Sequence, residues 1–198
     1  MSGIETIGLK ESAARFLNLP FYQTGKVRKD SIGPADVAIV RELLEEIKPE
    51  LIFVAGDLSD PHGTHRMCKE AIDMALEELY GFRGGAKREE QAPKHSEGAP
   101  NKSDARSASR PEVWLYRGAW QEWPITEASW LVPMSQEELR LKIQAIFKHQ
   151  SQKDSAPFPG SDDREFWQRV EARNKDTAAI LDRLGLAEYF AMEAYVVE

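Results

Sequence analysis

The chain is poor in the residues that would place it outside a reducing compartment or inside a membrane. It has a single cysteine, Cys68, so no intramolecular disulfide can form, and a secreted disulfide scaffold is excluded. No apolar stretch approaches the roughly 18–20 residues of a membrane helix. The opening MSGIETIGLKES has neither the charged start nor the apolar centre of a secretion signal. A cytoplasmic setting with no membrane partner is therefore expected. Excess positive charge is also missing. The formal net charge is −7, which argues against a general nucleic-acid binder, because such proteins carry a basic face for the phosphates. Histidine is scarce, with four in 198 residues, and this makes their placement informative.

What is present is the alternation of strand and helix signals that marks an α/β protein. Residues 14–22, ARFLNLPFY with its apolar Phe16, Leu17 and Leu19, read as a strand running into a loop. Val37, Val40, Leu43, Leu44 and Ile47 recur at three and four residues and predict a helix over 36–47. Pro34 stands near its start and Pro49 just past its end, where proline is tolerated. ELIFVAG is continuously apolar, as in a parallel strand buried on both faces. A helix then opens near Thr64 or His65, with Met67, Ala71, Met74, Ala75 and Leu79 inward.

Residues 84–110 contain no large apolar side chain and are rich in Gly, Ala, Pro, Ser and charge. Such a segment cannot bury enough surface to offset its ordering entropy, so a disordered insertion is expected there. Beyond it, PEVWLYRGAW reads as a strand, and QEWPITEASWLVPM as an irregular stretch with apolar anchors. Ser135 followed by Glu138 forms a capping box for a helix with Leu139, Ile143, Ile146 and Phe147 inward. A last helix over 163–184 ends at Gly185, and EYFAMEAYVVE forms a closing strand. The order predicts a single domain, 1–198, built as a Rossmann-like parallel sheet flanked by helices.

The chemistry concentrates in FVAGDLSDPHGTHR, where a strand ends, a polar loop follows and a helix begins. Open α/β sheets bind ligands at this end of their strands. His62 and His65 are three apart and project to similar sides if the turn is helical. Neutral imidazole suits zinc, and Asp57 or Asp60 could ligate or orient an imidazole. The same residues also fit a simpler pattern, with Asp60 or Thr64 capping the helix and both rings exposed. Trp114, Trp120, Trp123 and Trp130 are open to two readings, sugar stacking or packing. Cys68 reads as a small buried hydrophobe.

DPHGTHR, following an apolar strand and opening a helix, resembles the second motif of the PIG-L/LmbE-like de-N-acetylases. RFLNLPFYQTGKVRKDSIGPADV, IFVAGDLSDPHGTHRMCKEAID, VWLYRGAWQEWPI and FKHQSQ…APF together resemble the bacterial subgroup in which that module follows a glucosamine-6-phosphate deaminase-like domain. The resemblance implies a zinc-dependent hydrolase that removes the acetyl group of an N-acetylglucosamine unit. It implies His65 as the zinc ligand and His62, with Asp60, as catalytic residues, His62 stabilising the oxyanion. It implies Tyr22, Gln23 and Thr24 as residues that contact an amino-sugar ligand, and His149 lies in a stretch that matches the family, where it either lines the site or simply meets the last carbonyls of a helix. Arg28 reads either as a fork for an anionic group of the ligand or as part of a solvated loop. Two departures stand out. Thr64 replaces the family's aspartate before the second histidine, and the A-H-P-D-D-E motif, which supplies two further zinc ligands and the general base, is absent. The expectation is therefore a domain truncated at its start and inactive alone. It would be a fragment of a longer protein, be completed by a separate chain that supplies the first half, or survive as a non-catalytic sugar-binding or interaction module; alternatively, activity would belong to an upstream deaminase-like domain that this part supports. An uncovered sheet edge would favour homo-oligomers.

Overall fold

The computed structural model describes residues 2–22, 30–56, 63–82, 109–117, 122–150 and 164–198. Helix α1 (Gly3–Thr6) and a single 3₁₀ turn (Glu11–Ala13) precede an extended run. Then come α2 (Pro34–Ile47), β1 (Leu51–Ala55), α3 (Thr64–Tyr80), β2 (Glu112–Tyr116), β3 (Trp130–Met134), α4 (Gln136–Ile146), α5 (Phe166–Arg183) and β4 (Ala191–Val197). The four strands form one sheet in the order β1-β2-β4-β3. β1 and β2 are parallel, in register from Leu51↔Glu112 to Ala55↔Tyr116. β4 runs against both β2 and β3. The α/β class is as the sequence implies, but the sheet is mixed, because the closing strand inserts antiparallel between β2 and β3.

Local chemistry explains most boundaries. Pro34 opens α2, where its missing N–H is not needed. Ser135 and Glu138 form the expected reciprocal cap of α4. Gly185, at φ 77°, follows α5 in the left-handed conformation that glycine adopts without strain. One core joins Val37, Val40 and Leu44 of α2, Ala71, Ala75 and Leu76 of α3, Val54 of β1, and Val113 and Leu115 of β2. A smaller cluster joins Ala178 and Leu181 of α5 to Met192 of β4.

The structure corrects the sequence reading in several places. No strand forms over residues 14–22. Phe16 is 86% exposed while Phe21 is buried, and the segment is fixed from below: the buried Asp36 carboxylate accepts hydrogen bonds from Phe21 N and Gly33 N, both at 2.9 Å. A strand does form at Trp130–Met134, within the stretch expected to be irregular. β1 is buried on one face only, since Phe53 is 53% exposed. In α3 Ala71 and Ala75 are buried as expected and Leu76 joins them, whereas Met74 is exposed. Cys68 is partly exposed. The expected insertion, 84–110, lies outside the described residues except for Ser109 and Arg110. Arg110 belongs to the fold: its guanidinium donates to Leu76 O and Gly81 O, satisfying carbonyls at the end of α3.

Candidate functional site

The carboxyl ends of β1 and β2 lie side by side. β1 ends at Gly56, whose N–H still donates to Tyr116 O at 2.7 Å. A Cβ at Gly56 would stand 2.7 Å from Leu115 Cβ and 2.9 Å from Trp123 Cζ2. Only a glycine lets the backbone at position 56 come this close to Leu115 and the Trp123 ring. That ring is pinned from β2, its Nε1–H donating to Leu115 O at 2.9 Å. The Arg117 guanidinium lies 4.8 Å from the ring centre on its face, in cation–π geometry.

His65 is the second residue of α3, partly buried, with Nδ1 inaccessible to water. The turn before it needs Gly63, which sits at the cap position with φ 68° and ψ 0°. Thr64 is the first helical residue and so does not cap the helix. Asp57, Asp60 and His62 lie outside the described residues, as do Gln23, Thr24, Arg28 and Trp120. Tyr22 is exposed beside the buried Phe21, with their rings edge-on. His149 follows α4, exposed, its Nε2 facing Gly3 of α1. The described contacts thus place His149 against the N-terminal helix. Of the residues singled out in the sequence, His65 and Trp123 are described at the strands' carboxyl end. Among the described residues no group of three or more His, Cys, Asp or Glu is placed to hold a metal ion. His65 does not by itself fit a tetrahedral zinc site, which needs three protein ligands and an open position.

The sequence reading missed a charged cluster between α4, α5, β4 and the segment after β2. Glu122 lies 3.4 Å from Arg173, and both side chains are nearly inaccessible. The fully buried Asn174 donates to Met192 O at 3.0 Å and to Glu122 at 3.4 Å. Lys142 donates to Asn174 Oδ1 at 3.0 Å and pairs with Glu193 at 2.9 Å. The Tyr195 hydroxyl donates to the other Glu193 oxygen at 3.0 Å.

The two carboxyl groups are driven in opposite directions. Burial pushes Glu122 up, outweighing the attraction of Arg173. Burial also opposes ionisation of Glu193, but the charge and hydrogen bond of Lys142 and the hydrogen bond from Tyr195 hold it below the ordinary carboxylate range. Burial, then the Glu193 charge, pushes the Tyr195 phenol up. Burial likewise raises Tyr116, with Cys68 and Glu193 adding to it. β4 starts where β2 ends, so Glu193 and Glu122 lie toward the same end of the sheet as Gly56 and Trp123. Nothing in the spacing of Glu122, Lys142, Arg173 and Glu193 along the chain signals this meeting, because it depends on the antiparallel insertion of β4. The one local hint is an asparagine on the apolar stripe of α5.

No family model matches the chain. A Bacteroides thetaiotaomicron protein named "Putative glucosamine-6-phosphate deaminase-like protein" is 52% identical to it over 181 residues, 91% of this chain and 24% of that protein. The chain therefore spans about a quarter of the length of this curated relative. The crystal structure of the conserved protein TT1542 from Thermus thermophilus shares the fold, with a TM-score of 0.55 at 19% identity. The match covers 98% of this chain and 68% of that one. Among the described residues no helix is long and apolar enough to cross a membrane.

Proposed function

We propose that this chain is part of an amino-sugar-processing enzyme whose reactive centre is assembled at the carboxyl ends of β1 and β2. The reaction would be hydrolysis of an acetamide on an N-acetylglucosamine-type substrate. The observation that carries the reading is the seating of His65. A glycine in the left-handed conformation puts this imidazole on the first turn of α3, beyond the end of a parallel strand, where open α/β sheets present reactive groups. The 52% identity to a protein named for a glucosamine-phosphate enzyme supports the amino-sugar class.

On this reading His65 would contribute one ligand to a zinc ion, and His62 and Asp60 would act on the substrate carbonyl and its attacking water. The remaining ligands and the base would come from outside the described residues or from another part of a longer protein. Tyr22, next to the Phe21 amide that Asp36 holds, would contact the sugar together with Gln23, Thr24 and Arg28. Arg117, held over Trp123, offers a fixed cation beside the same strand ends.

A second reading follows from the relative's name: the chain supports deamination of glucosamine 6-phosphate carried out elsewhere in a longer protein. Acetate release from N-acetylglucosamine and ammonia release from glucosamine 6-phosphate separate the two. Both should be measured on this chain alone and on a fusion carrying the rest of the Bacteroides relative, with His65→Ala in each. Acetate release by the fusion, lost together with bound zinc in His65→Ala, is the expected result. Ammonia release insensitive to His65→Ala, with no acetate, would replace the first reading by the second.

A further inference from the structure

Glu122 opens the described segment that leads to β3, and its two carboxylate oxygens face different parts of the molecule. Oε1 accepts from the Trp123 N–H at 3.2 Å, within its own segment. Oε2 faces α5, where Arg173 Nε and Asn174 Nδ2 each lie at 3.4 Å. The side chains of Glu122 and Arg173 are 6% and 10% exposed, so water scarcely competes for this contact. The Asn174 amide is itself held in one orientation. Lys142 of α4 donates to its Oδ1 at 3.0 Å, which turns Nδ2 toward Met192 O and Glu122. Two helices thus hold a carboxylate that belongs to neither.

The residue that follows Glu122 closes the carboxyl ends of β1 and β2. Trp123 packs on the core shared by α2, α3 and the two strands. Its Nε1–H donates to Leu115 O, its Cζ2 edge meets the backbone at Gly56, and its face carries the Arg117 guanidinium. A shift of this one ring therefore disturbs the end of β1, the end of β2 and a cation beside them. Burial disfavours the charge of Glu122, and a well-packed apolar side chain would stabilise the same space at least as well as a buried ion pair. What the carboxylate adds is direction, because few orientations let it meet a backbone N–H and a guanidinium together.

We propose that Glu122 is a positioning residue for the carboxyl ends of β1 and β2. It ties the Trp123 indole to α5, and the indole in turn sets Gly56 and Arg117. The alignment of the strand ends is thereby governed by a helix that supplies none of the residues assigned to zinc or substrate. The consequence for catalysis rests on the reactive centre proposed above, whereas the linkage from α5 to the strand ends does not.

Two readouts at the far end of the linkage test it in this chain. One is the fluorine NMR resonance of Trp123 in fluorotryptophan-labelled protein, assigned with Trp123→Phe. The other is exchange of the Gly56 amide, which donates to Tyr116 O. Glu122→Gln keeps the shape of the side chain but has a single acceptor oxygen, so one link is lost whichever way its amide turns. Glu122→Gln and Arg173→Met should each shift the Trp123 resonance and speed Gly56 exchange at least about tenfold. Arg173→Lys, which keeps a cation for Glu122, should recover most of the protection lost in Arg173→Met. Leu181→Ala weakens the packing of the same helix in its smaller cluster. Compared at an equal distance below its thermal midpoint, it should leave the Trp123 resonance in place and Gly56 exchange within about twofold. Unchanged Trp123 and Gly56 signals in Glu122→Gln and Arg173→Met, or an equal change in Leu181→Ala, would overturn the proposal. In the fusion with the rest of the Bacteroides relative, Glu122→Gln should slow acetate release about tenfold with bound zinc retained. If the parent fusion releases no acetate, the reactive-centre reading fails, and the Trp123 and Gly56 signals still decide the linkage.

Discussion

Replacing Asp36 by alanine should detach the segment that precedes α2. Asp36 is 2% exposed, and its two carboxylate oxygens are spent on two backbone donors, Phe21 N and Gly33 N. A hydrogen bond to a charged acceptor contributes roughly 1.5–3 kcal/mol, and a buried donor left without one loses about 1–3 kcal/mol. Gly33 is half-buried and water can replace its acceptor, whereas Phe21 is buried and its amide would be stranded. The loss in Asp36→Ala should therefore be about 3 kcal/mol, a large share of a total stability of roughly 5–15 kcal/mol. Asp36→Asn keeps one acceptor oxygen and turns a donor toward the other amide, so it should cost nearly as much. Urea unfolding gives the global loss, and amide exchange at Phe21 gives the local one. The segment leads directly to Tyr22 and the proposed sugar-contacting residues, so affinity for an amino sugar should fall along with Phe21 protection. If Asp36→Ala costs less than about 0.5 kcal/mol and leaves Phe21 exchange unaltered, Asp36 is not what holds this segment.

Other outcomes follow from the same structure. Gly56→Ala should cost about 1–3 kcal/mol by overpacking against Leu115 and Trp123, with a change in tryptophan fluorescence as the ring is displaced. Lys48 adopts a left-handed conformation at φ 49° after α2, so Lys48→Gly should raise stability by about 1 kcal/mol, seen as a higher urea midpoint. The two buried acids should act on opposite sides of the pH curve. The folded Glu193 binds its proton less tightly than the unfolded chain does. Its share of stability is thus present above the unfolded carboxylate value near 4.3 and is lost as pH falls through the folded value. Glu193→Gln should flatten the acid limb of a plot of thermal midpoint against pH. Glu122 has the reverse sign, being raised. Its share is complete below the unfolded value and is lost as pH rises through the folded one. Glu122→Gln should remove that decline, and an unchanged slope above pH ~4.3 would show that its carboxyl does not titrate as described. Arg173→Ala should cost roughly 3–5 kcal/mol, because it leaves the Glu122 carboxyl buried without its paired guanidinium.

Much of this protein was legible because short-range chemistry decides it. The Ser135–Glu138 box, the Pro34 start and the Gly185 stop each act within one helical turn, and α2, α4 and α5 appear where those signals place them. The apolar period of α2 and the continuous run of β1 likewise depend on neighbours within a few residues. So does the glycine turn that delivers His65 to the first turn of α3.

Long-range pairing decided the rest. Residues 14–22 carry strand-like composition but have no ladder partner, and a carboxylate 15 residues away from Phe21 fixes them as an extended coil instead. Trp130–Met134 lacks a clean strand pattern and contains Pro133, yet β4 supplies its partners across the whole of it. A continuously apolar strand cannot announce that one of its faces will be open. That depends on whether another element arrives to cover Phe53, and in this chain α2 and α3 both pack on the other side. The Glu122–Arg173 and Lys142–Glu193 contacts join residues about fifty positions apart in sequence. Their meeting, and the opposite shifts of the two acids, exist only once β4 is threaded antiparallel between β2 and β3. Composition and periodicity determined α2 to α5 and the strands β1, β2 and β4. The order and direction of the strands determined which charges are buried together and which aromatic side chains share one face.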